Sequence, residues 1–230
     1  MHSSNLMESI VISIGGSVLF SGEVDEIFFK KLNLLLQSLT EKYKIYLVVG
    51  GGKKARKLIK KGREQGLSEE ELDLIGIDVT RENAEALSDK LDNSNIIIPN
   101  STDDAKKMSE KIIVMGGTTP GHSTDMVGAE LAEKTIASKF IIATNVDGVY
   151  DKDPNKFSDA KKYDEIKIDD LIKQQGTEWK TAGKNTVIDG PALSIIYKAK
   201  IPTFVLNGKQ LNELQKAITN QKFNGTIIKK

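Results

Sequence analysis

The sequence contains no cysteine and only two histidines in 230 residues. The first absence removes disulfides, cysteine-held zinc and thiol nucleophiles together, and the second argues against a histidine-rich metal centre. Any metal used by this chain is expected on oxygen ligands. An excess of one charge is missing too. The 33 Lys and Arg against 32 Asp and Glu leave a net +1, so no global field marks the molecule for a nucleic-acid polymer or a membrane surface. The opening "MHSSNLMESIVISIGGSVLF" lacks a basic leader region, and Gly15 and Gly16 interrupt its apolar stretch. It reads as neither a signal peptide nor a spanning helix, which leads us to expect a cytoplasmic protein. The length suits one good-sized core of enzyme dimensions.

What is present is alternation. Short β-branched runs alternate with longer amphipathic segments, the pattern of a mainly parallel sheet with helices on its faces. "SIVISI" (9–14), "KIYLVV" (44–49), "NIIIP" (95–99), "KIIVM" (111–115), "KFIIAT" (139–144), "TFVL" (203–206) and "GTIIK" (225–229) read as strands, with a short one in "YDEIKID". Between the first two strands, Ile27, Phe28, Leu32, Leu35, Leu36 and Leu39 share one helical stripe; after the second, Ala55, Leu58, Ile59 and Gly62 form another. Residues 68 to 93 start with Ser68 and Glu71 at capping-box spacing and predict a helix with a possible break at Gly76. Further helices are expected after residue 124, over a short stretch near 168–175, from Asp189 to Lys200 and from Leu211 to Ile218. The segment "GTEWKTAGKNT", with the only tryptophan, Trp179, reads as a mobile loop.

Four of the strands end in small or polar residues: "GGS" (15–17), "GGG" (50–52), "GGTTPGHSTD" (116–125) and "TNVDG" (144–148). In a parallel sheet all four ends lie on one edge, where open α/β folds bind ligands. Glycine allows close backbone approach and positive φ, so successive N–H groups can face one anion, and a following helix adds its dipole. Each glycine pair alone could merely end a strand; four at one edge suit a ligand with several phosphates, or two phosphorylated ligands facing each other. The P-loop pattern is absent, since none of the three Gly-Lys pairs has the preceding glycine or the following Ser or Thr. "GGGKKA" formally satisfies a dinucleotide pattern, but the helical "SEEELDLI" stands where a second strand with a terminal acid should follow.

The triple glycine runs into Lys53, Lys54, Arg56 and Lys57, then Lys60, Lys61 and Arg63, without an acid among them. Cations in the first turn of a helix oppose its dipole at about 0.3 to 1 kcal/mol each. They make local sense if an anion sits among them, so Lys53, Lys54, Arg56 and Lys57 are candidates for phosphate contact. Lys60, Lys61 and Arg63 lie about 10 Å further along and read as solvated. "GGTTPGHSTD" offers backbone N–H groups, hydroxyls and His122, with Asp125 placed to cap the next helix or to act directly. "TNVDGVYDKDP" is either a charged hairpin or a loop that contacts a purine through Tyr150 and its acids.

Together and in this order, "SIGGSVL", "VVGGGKKARK", "LIGIDVTRENA", "VMGGTTPGHSTD", "TNVDGVYDKDP", "VIDGPAL" and "NGTII" resemble the amino-acid kinase family, most closely its archaeal uridylate kinase branch. The resemblance spans residues 9 to 228 and implies a three-layer αβα sandwich with a central, mostly parallel sheet. It implies one domain over 1–230, with an N-terminal acceptor lobe to about 137 and a C-terminal lobe for ATP and Mg2+. By position, UMP would lie against Gly51, Asp73, Thr118, Thr119, Pro120, Gly121, His122, Ser123 and Thr124, with Asp73 on its sugar. ATP would contact Gly15, Gly16, Gly52, Arg56, Thr144, Asn145, Tyr150 and Asp153. Asp189 would organise the catalytic centre, and a homohexamer built from dimers is implied.

One departure stands out. Many family members have a lysine two residues before the first glycine pair, and here that residue is Ser13. Phosphoryl transfer depends on electrostatic stabilisation and positioning, so a cation must come from elsewhere. Lys53 is the expected replacement and Lys184 a second candidate. The activity expected is transfer of the ATP γ-phosphoryl group to UMP. The rivals are a sibling kinase for a carboxylate, carbamate or isoprenyl phosphate, and a non-catalytic nucleotide-binding member of the fold.

Overall fold

A computed structural model describes residues 7–22, 25–178 and 187–230. The chain begins with β1 (Glu8–Ile14), the short α1 (Gly16–Leu19), α2 (Glu26–Leu39), β2 (Tyr43–Val49) and α3 (Gly52–Glu64). It continues through α4 (Glu69–Ser88), α5 (Thr102–Lys107), β3 (Ile112–Met115), α6 (Thr124–Lys134) and β4 (Lys139–Thr144). The last third carries β5 (Glu165–Lys167), α7 (Ile168–Gln175), α8 (Gly190–Ala199), β6 (Thr203–Asn207), α9 (Leu211–Ile218) and β7 (Thr226–Lys229).

The strands form one sheet in the order β3-β2-β1-β4-β6-β7-β5. β3, β2, β1, β4 and β6 are mutually parallel, β7 is antiparallel to β6, and β5 runs with β7. Strand alternation divides the core into two layers. Ile10, Ile12, Ile14, Leu47, Val49, Ile141 and Ala143 face Leu32 and Leu36 of α2 and Leu214 of α9. Val11, Val48, Ile113, Met115 and Ile142 face Val127 and Leu131 of α6 and Leu193 and Ile196 of α8. The two packed faces give the expected αβα sandwich. A smaller cluster of Ala55, Ile59, Leu72 and Val79 joins α3 to α4.

Local chemistry explains most of the element starts. Ser68 and Glu71 close a reciprocal capping box at the start of α4, which satisfies two free donors. α4 then passes through Gly76 without a break, facing Ile59 of α3, whose Cδ1 would lie 3.4 Å from a Cβ there. Other expectations shift by a residue or a face. Phe29 is buried on α2 while Ile27 is 69% exposed, and Leu58 of α3 is 38% exposed. The segment containing Trp179 lies outside the described residues.

The expected strand "NIIIP" does not form, and Ile96 and Ile97 are 94% and 77% exposed. Asn95 takes the strand's place with its side chain. Its Nδ2 donates to the Val114 carbonyl at 2.9 Å and its Oδ1 accepts from the Val114 N–H at 2.6 Å, closing the outer edge of β3. Nδ2 also donates to the Ile97 carbonyl at 2.9 Å. Asn95→Ala would strand two buried backbone groups, so it is expected to cost about 2 to 4 kcal/mol in urea denaturation. A loss below about 0.5 kcal/mol would show that water replaces the amide there.

Candidate active site

β1, β2, β3 and β4 run in the same direction side by side, so their glycine and polar termini meet at one sheet edge. The first two loops touch through their backbones. A Cβ on Gly16 would lie 2.3 Å from the Gly50 oxygen and 2.6 Å from the Gly52 nitrogen. Gly52 also has φ of 64°, and a Cβ there would lie 2.6 Å from the Gly16 carbonyl carbon. Gly15 is tied sideways, its N–H donating to Ala143 of β4 at 2.9 Å, while the Gly50 N–H donates to Ile14 at 2.9 Å. The loops are thus fixed to each other and to the strands that carry them.

α3 starts at this contact. Gly51 is its N-cap, no side chain caps it and no acid occupies its first turn. Its free N–H groups and dipole make a setting for an anion. Lys53 is exposed there, and Arg56 Nη2 donates to Ser17 Oγ at 2.9 Å, which draws the guanidinium over α1. Lys54 instead pairs with Glu82, and Arg63 makes a forked pair with Glu69. Lys184 lies outside the described residues.

α4 shapes the second and third loops. Asn83 Nδ2 donates to the carbonyls of Gly50 at 2.9 Å and Gly51 at 3.4 Å, and Thr80 Oγ1 accepts from the Gly117 N–H at 2.7 Å. Asp73 Oδ2 accepts from the Gly121 N–H at 2.6 Å, where Gly121 has φ of 80°. That single bond ties Asp73 to the Thr118–Thr124 loop across 48 residues of sequence. Thr119 is exposed, Thr118 and Pro120 are half-buried, and the His122 N–H donates to the Thr119 carbonyl at 3.2 Å. His122 Nδ1 is buried without a hydrogen-bond partner among the described residues.

Asp125 does not cap α6. Ser123 does, accepting from the Met126 N–H at 2.9 Å, and Asp125 sits one position inside the helix. Its carboxyl accepts from Ser13 Oγ at 2.6 Å. Asp189 caps α8 through the Ala192 N–H at 2.8 Å and accepts a second bond from Ser123 Oγ. Both acids are half-buried as whole residues, although protein atoms crowd both carboxyls. Burial and the neighbouring Asp189 raise Asp125 from its ordinary 3.8 to about 7, against the smaller lowering effect of Ser13. Burial raises Asp189 also, while Ser123, backbone donors and His122 work in the opposite direction. Nothing in the residue order announces the Ser13 contact, since 112 positions separate the partners.

At the end of β4, Thr144 Oγ1 donates to Asn145 Oδ1 at 3.3 Å, and the Thr144 carbonyl accepts from the Gly208 N–H at 2.8 Å. Asp147 accepts from Asn207 and Gln210 at 3.0 and 3.1 Å. Tyr150 bridges to Lys162, and burial first, then Asp147, pushes its hydroxyl up. Asp153 Oδ1 accepts from the N–H and side-chain amide of Asn155. Structural bonds therefore hold this loop, with Tyr150 half-buried and Asn145 exposed.

The family model for the amino acid kinase family matches residues 8–207. The chain is 42% identical to a uridylate kinase of Methanobrevibacter smithii, over 96% of this chain and 99% of that one. It is likewise 42% identical to a uridylate kinase of Methanocaldococcus jannaschii, over 95% and 98%. The crystal structure of uridylate kinase from Archaeoglobus fulgidus superimposes with a TM-score of 0.83 at 39% identity, covering 97% of this chain and all of the other.

The interlocked loops predict a sharp contrast between two glycines. Gly52→Ala combines a left-handed φ with a backbone clash and is expected to cost about 2 to 4 kcal/mol. Gly22→Ala has open space around its Cβ and is expected within about 0.5 kcal/mol of the parent protein. Thermal and urea unfolding of both variants would check this; equal stability would mean that the two loops are free to separate.

Proposed function

The chain belongs to the amino acid kinase family, and we propose that within it the protein is a UMP kinase, transferring the ATP γ-phosphoryl group to UMP to give UDP and ADP. The observation that carries this reading is the backbone contact between the Gly16 and Gly50–Gly52 loops beside the uncapped, acid-free start of α3. That contact brings donors from two strand ends to one point, as a transfer between two phosphate-bearing molecules requires. The similarity to uridylate kinases over nearly the whole chain supports the choice of acceptor.

In this reading Gly51, Asp73 and Thr118–Thr124, including Thr119, Pro120, Gly121, His122 and Ser123, hold UMP. Asp73 already fixes the loop through Gly121, and its remaining lone pairs suit a sugar hydroxyl. Gly15, Gly16, Gly52, Arg56, Thr144, Asn145, Tyr150 and Asp153 hold ATP. The acceptor phosphate is largely ionised near neutrality, so no strong base is needed. The chain's work is to hold two anions in line and to offset their repulsion. Lys53 and the α3 N–H groups supply positive charge, and Asp189, braced by Ser123 and Ala192, orients the centre.

Among the described residues no group of three or more His, Cys, Asp or Glu could cage a metal. Mg2+ is ordinarily held by substrate phosphates with few protein ligands, and in this reading it would come with ATP. When bound it neutralises phosphate charge. Two lobes meeting near residue 137, a homohexamer built as a trimer of dimers and a cytoplasmic location complete the proposal. No helix among the described residues is long and apolar enough to cross a membrane.

A coupled ADP-release assay across UMP, CMP, dUMP, acetylglutamate and isopentenyl phosphate tests the reading. Turnover is expected with UMP; its absence would overturn the proposal, and tight ATP binding without any turnover would favour a binding module. Lys53→Ala is expected to lower kcat by about 100-fold or more with a smaller change in the UMP KM, and a near-normal kcat would remove Lys53 from the centre. Asp73→Ala is expected mainly to raise the UMP KM.

A further inference from the structure

The closing strand carries "NGTII", which the site built so far leaves without a use. Its Thr226 lies in β7 opposite Val205 of β6 and is 0% exposed. A buried hydroxyl needs partners for both its donor and its acceptor side. Thr226 finds both at the root of the loop that follows β4.

That loop is a hairpin. Val149–Asp151 runs antiparallel to Lys161–Tyr163: Tyr150 bridges Lys162, the Asp151 N–H donates to the Lys161 carbonyl at 3.0 Å, and the Tyr163 N–H donates to the Val149 carbonyl at 2.9 Å. In a regular antiparallel ladder Val149 and Tyr163 would exchange a second bond, from the Val149 N–H to the Tyr163 carbonyl. Here the Thr226 hydroxyl stands between those two groups. Its Oγ1 accepts from the Val149 N–H at 2.9 Å and donates to the Tyr163 carbonyl. The far end of the pairing is closed by another side chain, the Asp151 carboxylate, which accepts from the Lys161 N–H at 2.8 Å.

One buried hydroxyl thus completes the hairpin and ties both of its strands to the sheet. Gly148 makes room for it, since a Cβ there would lie 2.4 Å from Thr226 Oγ1. The chain leaving the hairpin continues along the same strand, with the Ile227 N–H donating to the Asp164 carbonyl at 2.9 Å.

We propose that Thr226 is a positioning residue for the phosphoryl donor, its hydroxyl fixing the hairpin that presents Tyr150 and Asp153 to ATP, a role that rests on the reading of those two residues as ATP contacts. Tyr150 follows Val149 directly in the chain. Asp153 opens the turn at the tip, its carbonyl accepting from the Lys156 N–H at 3.1 Å. Without the hydroxyl, the Val149 N–H and the Tyr163 carbonyl would be left unpaired in a buried place, and the hairpin would escape that cost by moving off β7 until water reached both groups. Tyr150 and Asp153 would move with it. The UMP side has separate anchors in Asp73 and Thr80 of α4, so the effect should fall on one substrate.

Thr226→Val keeps the shape of the side chain and removes the hydroxyl, whereas Thr226→Ser keeps the hydroxyl. Thr226→Val is expected to raise the ATP KM about tenfold with the UMP KM within about twofold of the parent, and Thr226→Ser to hold both within about twofold. A merely structural defect would lower kcat through the folded fraction and leave both KM values alone. An unchanged ATP KM in Thr226→Val would overturn the proposal, as would a serine variant no better than the valine one. Should Thr226→Val not fold, Gly148→Ala displaces the hydroxyl from the other side and should raise the ATP KM with the same selectivity; an unchanged value would count against the proposal.

Hydrogen exchange at the Val149 amide reads the anchor without nucleotide. Its protection should fall at least about tenfold in Thr226→Val and stay near the parent's in Thr226→Ser; equal protection in all three proteins would overturn the proposal. Tyr150→Ala separates this role from the reading beneath it. If Tyr150→Ala raises the ATP KM and Thr226→Val does not, the positioning role alone fails. If neither raises it while Val149 loses protection, the assignment of the hairpin to ATP falls, and the proposal with it.

Discussion

The close approach of Gly16 to the Gly50–Gly52 turn fixes the remainder of the site. No side chain fits between the two loops, and Gly52 holds a left-handed backbone against the Gly16 carbonyl. Because the contact is backbone on backbone, it sets how far apart β1 and β2 end. It also sets where α3 begins, since Gly52 is the first residue of that helix. The hydrogen bond from Arg56 to Ser17 and the bonds from Asn83 to Gly50 and Gly51 then have fixed targets. A looser junction would leave the α3 dipole pointing at no defined place, and a reaction governed by alignment of two anions would suffer directly.

The opposite face of the edge solves a different problem. Helix N-termini favour negative charge, by about 0.3 to 1 kcal/mol for an exposed group. Both Asp125 and Asp189 exploit such positions, but crowding by protein atoms and their mutual repulsion push both upward. The serines divide the labour. Ser123 caps α6 and bonds Asp189, coupling the loop that precedes α6 to the start of α8, while Ser13 reaches Asp125 from within the sheet. A shift of one loop is therefore felt by the acid on the other helix.

Much of this was legible in the residue order. The four glycine-rich strand ends, the αβα layering and the Ser68–Glu71 cap follow from patterns within 3 to 20 residues, and local rules capture such patterns. Asn95 shows where those rules fail. "NIIIP" has every attribute of a strand, yet the side-chain amide of its first residue satisfies β3 and leaves Ile96 and Ile97 in solvent. Periodicity cannot distinguish a backbone edge from an amide that imitates one. Leu58 and Ile27 fail for a related reason: a stripe fixes which residues share a helix face, and its neighbours fix how much of that face is covered.

Asp125 was hardest to read because its local surroundings offer a sufficient explanation of the wrong kind. An acid at the start of a helix is ordinarily a cap, but Ser123 fills that place and frees the carboxyl for Ser13 on another strand. A serine at position 13 then has a consequence that no single-residue rule contains. The hydroxyl can satisfy one lone pair of the acid but cannot cancel its charge, so the contact differs in kind from the ion pair a lysine at that position would make.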